Sequence, residues 1–253
     1  MTAATRFFNT LARRFLQGSV LSLCALMLPA SASVIVQATR LVYPAEAREI
    51  SLQLSNADAH PNLIQVWADI DNPQSDPENA DAPFIITPPI FRMEPRSGQT
   101  VRIMLTADNL PQDRESVFYL NTLQIPPKAK DYDEQNRLQL TLRNRLKLFY
   151  RPSRIAGAPG DIAAQLSFQI TQQGQDWLIT ARNPSGYFAT LVAGQVLAGK
   201  QALGFKTEML APFSTSQWRM LKAGPLPSGP LRISAALVND FGGQDLREYE
   251  ATR

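Results

Sequence analysis

The side chains best suited to catalysis are few and scattered. His60 is the sole histidine and stands beside Pro61 in a turn-like stretch. Acid–base or zinc chemistry needs more than one such group within reach, so His60 reads as a surface residue. Asp69, Asp71, Asp76, Glu78 and Asp81 crowd one segment, and calcium takes several close carboxylate oxygens. Pro73 and Gln74, however, fall where an EF-hand loop needs a ligand and a glycine. That segment reads as a solvated acidic loop. Asp113 and Glu115 form an acidic pair of a common, weakly specific kind. No nucleophile elbow, phosphate-cradling glycine loop or dinucleotide fingerprint occurs. The expectation is a non-enzyme with no metal site and no cofactor, against the alternative of a hydrolase built on Asp71 and Asp76.

Binding chemistry is better represented. Leu138 to Pro152 reads LQLTLRNRLKLFYRP. As a strand, Leu138 to Tyr150 would span about 43 Å, where a typical strand has about 5–6 residues. One face presents Leu138, Leu140, Leu142, Leu146, Leu148 and Tyr150; the other presents Gln139, Thr141, Arg143, Arg145 and Lys147. Alternation alone favours a face turned to the core. An exposed edge of this length would instead invite strand addition by another chain.

The elements around this segment read as strands. Glu49–Ser55, Thr100–Leu105 and Val117–Ile125 alternate apolar and polar residues, the mark of half-buried strands. Nineteen prolines and thirteen glycines leave few windows for helices. Asn72–Pro83 and Pro126–Gln135 read as loops. Asp161–Ile170, Asp176–Ala181, Tyr187–Val192 and Leu231–Val238 are further candidate strands. The fold class expected is all-β, with two immunoglobulin-like sandwiches. They cover 33–152 and 160–253, joined by a Pro- and Gly-rich linker at 153–159.

The first 32 residues read as an export signal. Arg6, Arg13 and Arg14 precede an apolar run from Phe15 to Leu28, and Ala30-Ser31-Ala32 offers small residues for cleavage. Cleavage near Ala32 removes Cys24, the only cysteine. Three of the 25 Lys and Arg, and none of the 22 Asp and Glu, lie in this leader. The mature chain is therefore neutral, which argues against nucleic-acid or membrane-surface binding. No later stretch is apolar enough to span a bilayer, so no membrane insertion is expected.

Several motifs together resemble one family. Leu110–Asn121 (LPQDRESVFYLN) followed by Ile125-Pro126-Pro127, and Lys147–Pro152 (KLFYRP), are similar to the two signatures of periplasmic pilus-assembly (fimbrial) chaperones, the P-pilus chaperone among them. Thr87–Pro95, Asn183–Leu191, Ala211–Ser214 and Val238–Gly243 match further family segments in order. Thr122 and Gly186 depart from the pattern, standing where an aliphatic residue and a proline are frequent. Without mature cysteines and with a moderate connection at Lys128–Arg137, the chain resembles the branch with a short F1–G1 loop.

The resemblance implies a periplasmic chaperone whose two domains form an L or boomerang. It would cap pilin subunits by donor-strand complementation and deliver them to an outer-membrane usher. On that pattern Leu138, Leu140 and Leu142 enter the subunit groove. Arg40, in Ala38–Val42, and Lys147 anchor the subunit's C-terminal carboxylate. Glu115, Arg151 and Asp240 link the two domains. The free chaperone would have an edge able to pair with a second copy as a self-capping homo-oligomer. The alternative is an immunoglobulin-like structural or adhesive module of the cell envelope.

Overall fold

A computed structural model of the chain describes residues 33–128, 139–221 and 224–253. The leader, Leu138 and most of the connection at Lys128–Arg137 lie outside the described residues.

The first half folds as two facing sheets. β1 (Val34–Val36), β3 (Ile50–Asn56), β7 (Gly98–Leu105) and β5 (Phe84–Thr87) hydrogen-bond in that order. Opposite them lie β2 (Arg40–Pro44), β9 (Leu142–Arg151), β8 (Ser116–Ile125), β4 (Asn62–Asp69) and β6 (Ile90–Met93). Alternate residues point inward, as a period of two requires. Leu52 and Leu54, Ile64 and Val66, Val101 and Ile103, and Phe118 and Leu120 pack with Leu148 and Tyr150 into one core. Each such side chain contributes about 1.5–3 kcal/mol on burial. Together they fix which face of each strand is inside.

The first strand does not stay in one sheet. β1 pairs antiparallel with β3, whereas β2 pairs in parallel with β9. The crossing occurs over Gln37–Thr39, three residues in no strand. Among the described residues nothing pairs with the edge of β9 beyond β2.

The expected strand at Leu138–Tyr150 is shorter and displaced. It begins at Leu142 and runs to Arg151. Its ladder with β8 opens at Gln124↔Leu142, and β8 itself ends at Ile125, just before Pro126 and Pro127. The partner's length, not the leucine pattern, sets where β9 starts.

The second half forms one curled sheet. Its strands are β10 (Ser167–Gln173), β11 (Asp176–Asn183), β12 (Leu191–Ala198), β13 (Gln201–Phe205), β14 (Ser214–Met220), β15 (Leu231–Val238) and β16 (Gln244–Thr252). The order is β13-β12-β15-β16-β10-β11-β14, around a core that includes Trp177, Ile179, Ile170, Val196 and Ile233. Two expected strands differ. Asp161–Ile170 opens instead with a 3-10 turn, Pro159–Asp161, and a short helix, Ile162–Gln165. Pro159 suits a first helical turn, Ala163 and Ala164 favour helix, and Asp161 accepts the Ala158 N–H at 3.2 Å. Tyr187–Val192 becomes strand only at Leu191. Asn183 donates to the Tyr187 carbonyl at 2.7 Å and Ser185 donates to Asn183 at 2.7 Å. These local bonds take the place of a ladder up to Tyr187, after which Ala189 and Leu210 exchange one pair of main-chain bonds.

Candidate functional site

Two strands part to form a fork. β2 and β9 are paired from Arg40↔Lys147 to Pro44↔Arg151. Above that point residues 142–146 are bonded to β8 on one side only, among the described residues. Leu142, Asn144, Arg145 and Leu146 line a groove of about 280 Å³ with Val34, Val36, Ala38 and Thr39. The row of leucines is thus divided. Leu146 and Leu148 are buried, whereas Leu140 is 72% and Leu142 50% exposed. An open edge carrying exposed leucines offers both main-chain hydrogen bonds and apolar area to an added strand.

Arg40 and Lys147 meet at the base of the fork as direct neighbours in the parallel register. Arg40 Nη1 donates to the Val238 carbonyl at 3.0 Å, and the guanidinium lies 5.7 Å from the centre of the Phe149 ring. Its Nε is buried without an acceptor. Burial chiefly lowers the Arg40 pKa, opposed by Asp240 and Glu115. Burial likewise lowers that of Lys147, with help from the charges of Arg40 and Arg145. No carboxylate among the described residues lies within ion-pair distance of Lys147. Two partly desolvated cations side by side repel one another, and a shared anion would relieve both.

Glu115, Arg151 and Asp240 are brought together between the two halves of the chain. Arg151 donates Nε to Glu115 at 2.7 Å and forks onto Asp240 at 2.6 and 2.8 Å. The other Glu115 oxygen accepts the Phe188 N–H at 2.8 Å. Burial pushes the Glu115 carboxyl above the usual glutamate range, against the pull of Phe188 and Arg151. Asp240 is held below the usual aspartate range by the bonds from Arg151. Phe149 packs on Phe188, ring centres 5.6 Å apart. Gly186 has a local reason to be glycine: a Cβ there would sit 2.7 Å from both the Asp113 carbonyl oxygen and an Ile155 methyl.

The reverse face of β9 holds a polar cluster that reading the sequence did not anticipate. Asp69, expected in a solvated loop, is fully buried at the end of β4. It accepts Arg145 at 2.6 Å, Asn121 at 2.6 Å, Ser75 at 2.9 Å and the Asn72 N–H at 2.9 Å. Burial alone would raise its pKa, but these four bonds together bring it below the usual aspartate range. Arg143 donates to Asn121 at 2.7 Å, to Ser75 at 3.1 Å and to the Pro73 carbonyl at 3.1 Å. The signal available was the outward alternation of Trp67 and Asp69, Tyr119 and Asn121, and Arg143 and Arg145 on three adjacent strands. The remaining candidates are dispersed. His60 is exposed, 3.9 Å from Asp58. Among the described residues no three His, Cys, Asp or Glu side chains are grouped to hold a metal ion. No helix among them is long and apolar enough to cross a membrane.

Known proteins share the sequence pattern and fold of this chain. Residues 33–156 match the family model described as pili and flagellar-assembly chaperone, PapD N-terminal domain. Residues 161–249 match pili assembly chaperone PapD, C-terminal domain. The chain belongs to the PapD family of pilus-assembly chaperones. The chaperone protein FimB/FhaD of Bordetella pertussis is 39% identical over 226 residues, covering 87% of this chain and 89% of that protein. The crystal structure of the Pseudomonas aeruginosa CupB2 chaperone superposes with a TM-score of 0.71 at 30% identity, over 86% of this chain and all of that one. Salmonella enterica SafB, solved in complex with the SafA pilin, shares the fold at 24% identity, with a TM-score of 0.70 and coverage of 89% and 99%. The two halves are accordingly immunoglobulin-like β domains. Family membership favours a pilus-assembly chaperone over an adhesive module.

Proposed function

We propose that this chaperone binds pilin subunits by lending them β9 as a missing strand, and that Arg40 and Lys147 hold the subunit's terminal carboxylate. The observation that carries this is the fork. An incoming strand can hydrogen-bond to β9 only over 142–146, because β2 occupies the same edge from Lys147 onward. Pairing cannot continue past that point, and a chain end whose carboxylate meets Arg40 and Lys147 suits such a stop. With its C-terminus at Lys147 and its body along 146 to 142, the subunit strand runs parallel to β9. Its carboxylate meets the paired cations, and Leu140 and Leu142 enter its groove; Leu138 would extend the same row. Glu115, Arg151 and Asp240 serve as an interdomain tie that keeps the Val238 carbonyl and Arg40 in contact.

The protein acts in the periplasm after cleavage near Ala32, passes its cargo to an outer-membrane usher, and is neither an enzyme nor dependent on a cofactor. The bare edge also suits self-capping by a second copy when no subunit is bound. The cysteine-free mature sequence and the moderate connection at Lys128–Arg137 fit the short-loop branch. The test is periplasmic coexpression with the cognate subunit. Lys147→Ala and Arg40→Ala should each reduce the recovered complex by about 10- to 100-fold, the worth of a charge-assisted bond. Undiminished complex in both variants would refute the anchor.

A further inference from the structure

The cationic face of β9 presents a problem of register. A slip of one residue turns every side chain to the wrong face, and burial forbids it. A slip of two residues, about 6.7 Å, preserves both faces. Main-chain pairing and leucine packing discriminate poorly against it. The anchor must therefore set the register, and β9 carries three cations at this repeat on one face: Arg143, Arg145 and Lys147. Either arginine, if free, would offer a terminal carboxylate an alternative stop higher in the fork.

Neither arginine is free. Both guanidinium groups reach away from the bare edge, across the sheet towards β8 and β4. Arg145 is paired with buried Asp69 at 2.6 Å, with Asp71 at 3.7 Å, and lies over the Tyr119 ring at 3.5 Å. Arg143 is held by the Asn121 side-chain oxygen, Ser75 and the Pro73 carbonyl, over the Trp67 ring at 4.9 Å. Ser75 closes the cluster by donating to Asp69 while accepting the Trp67 N–H at 3.0 Å. Lys147, the third cation of the row, has no acid within ion-pair distance among the described residues.

We propose that Asp69, with Asn121 and Ser75, sets the register of the bound strand by occupying Arg145 and Arg143, so that Lys147 with Arg40 is the single available stop. Asp69 is on this account a positioning residue that never touches the client. The inference rests on the carboxylate-anchor reading above, and the experiment separates the two.

The mature chaperone is titrated with its cognate subunit, or coexpressed with it. Leu142→Cys and a series of single cysteines along the subunit's last strand report register by disulfide formation. Lys147→Ala should lower affinity about 10- to 100-fold; if it does not, the anchor reading fails and this inference falls with it. Where it does, Asp69→Asn added to Lys147→Ala should recover about 3- to 10-fold. The preferred crosslink should move by two residues, and adding Arg145→Gln should abolish both effects. Absence of recovery, or recovery with an unmoved crosslink, overturns the inference. If Asp69→Asn alone does not fold, Asp69→Asn with Arg145→Gln removes the buried charges as a pair, which proteins tolerate better. That double variant should bind the client within about twofold of wild type in the original register. A tenfold loss would show that Arg145 holds the client directly and would overturn the inference.

Discussion

Replacing Arg151 by Met tests the junction most severely, because the structure sets both the size of the effect and its pH dependence. Glu115 is only 4% exposed and has two partners, the Phe188 N–H and Arg151. Without Arg151 the carboxylate must stay charged and poorly compensated, at a cost of about 3–5 kcal/mol, or take up a proton. The second route limits the loss. Moving a glutamate from its ordinary pKa of about 4.3 to neutrality at pH 7 costs about 3.7 kcal/mol, and at pH 5 only about 1 kcal/mol. Asp240, partly exposed, adds at most about 1 kcal/mol. Glu115 already sits above the usual glutamate range with Arg151 present, so part of that cost is borne by the wild type, and Arg151→Met should destabilise by at most about 3–4 kcal/mol at pH 7 and at most about 1–2 kcal/mol at pH 5. With a urea dependence of about 2–3 kcal/mol/M, the pH 7 midpoint should fall by up to about 1–2 M. Trp67 reports the first domain, Trp177 and Trp218 the second. Adding Glu115→Gln should return much of the loss. Equal losses at the two pH values, or a midpoint shift below about 0.3 M, would refute the buried-charge argument.

Other consequences are more local. Leu140→Ser should weaken subunit binding more than Leu142→Ser, because more of Leu140 is exposed before binding; the costs should be about 1–2 and about 0.8–1.5 kcal/mol by competition titration. Gly186→Ala should destabilise by about 1–3 kcal/mol in urea, since a Cβ cannot fit against the Asp113 carbonyl. Asp69 has a folded pKa below its unfolded one. Its contribution to stability is complete above the unfolded value of about 3.9 and is lost as pH falls through the folded value. Asp69→Asn should flatten the acid limb of a stability–pH curve and lower its neutral plateau.

The strands that alternate most cleanly, such as Glu49–Ser55 and Thr100–Leu105, were legible because burying one face needs period two, whichever neighbours supply the cover. Cationic Arg40 and Lys147, and charged Glu115, Arg151 and Asp240, stood out in motifs flanked by such strands. Asp161–Ile170 was misjudged because its apolar spacing suits helix and strand alike, and Pro159 with Asp161 decided the matter locally. The Asp69 cluster was invisible for a different reason. Its members come from β4, β8, β9 and a loop, and nothing local distinguishes a buried aspartate from a solvated one until three strands lie side by side.

By itself the sequence determined that β9 has an apolar and a cationic face, since side chains on a strand alternate whatever surrounds them. Alternation could not determine which leucines are spare or which cation is available; only the family resemblance singled out Leu138, Leu140, Leu142 and Lys147. Tertiary structure decided both. β2 covers the edge of β9 only from Lys147 onward, leaving 142–146 unpaired on that side among the described residues, and Asp69 claims Arg145. Edge coverage and charge neutralisation are supplied by chain segments far away in sequence, which is why no pattern within β9 encodes them.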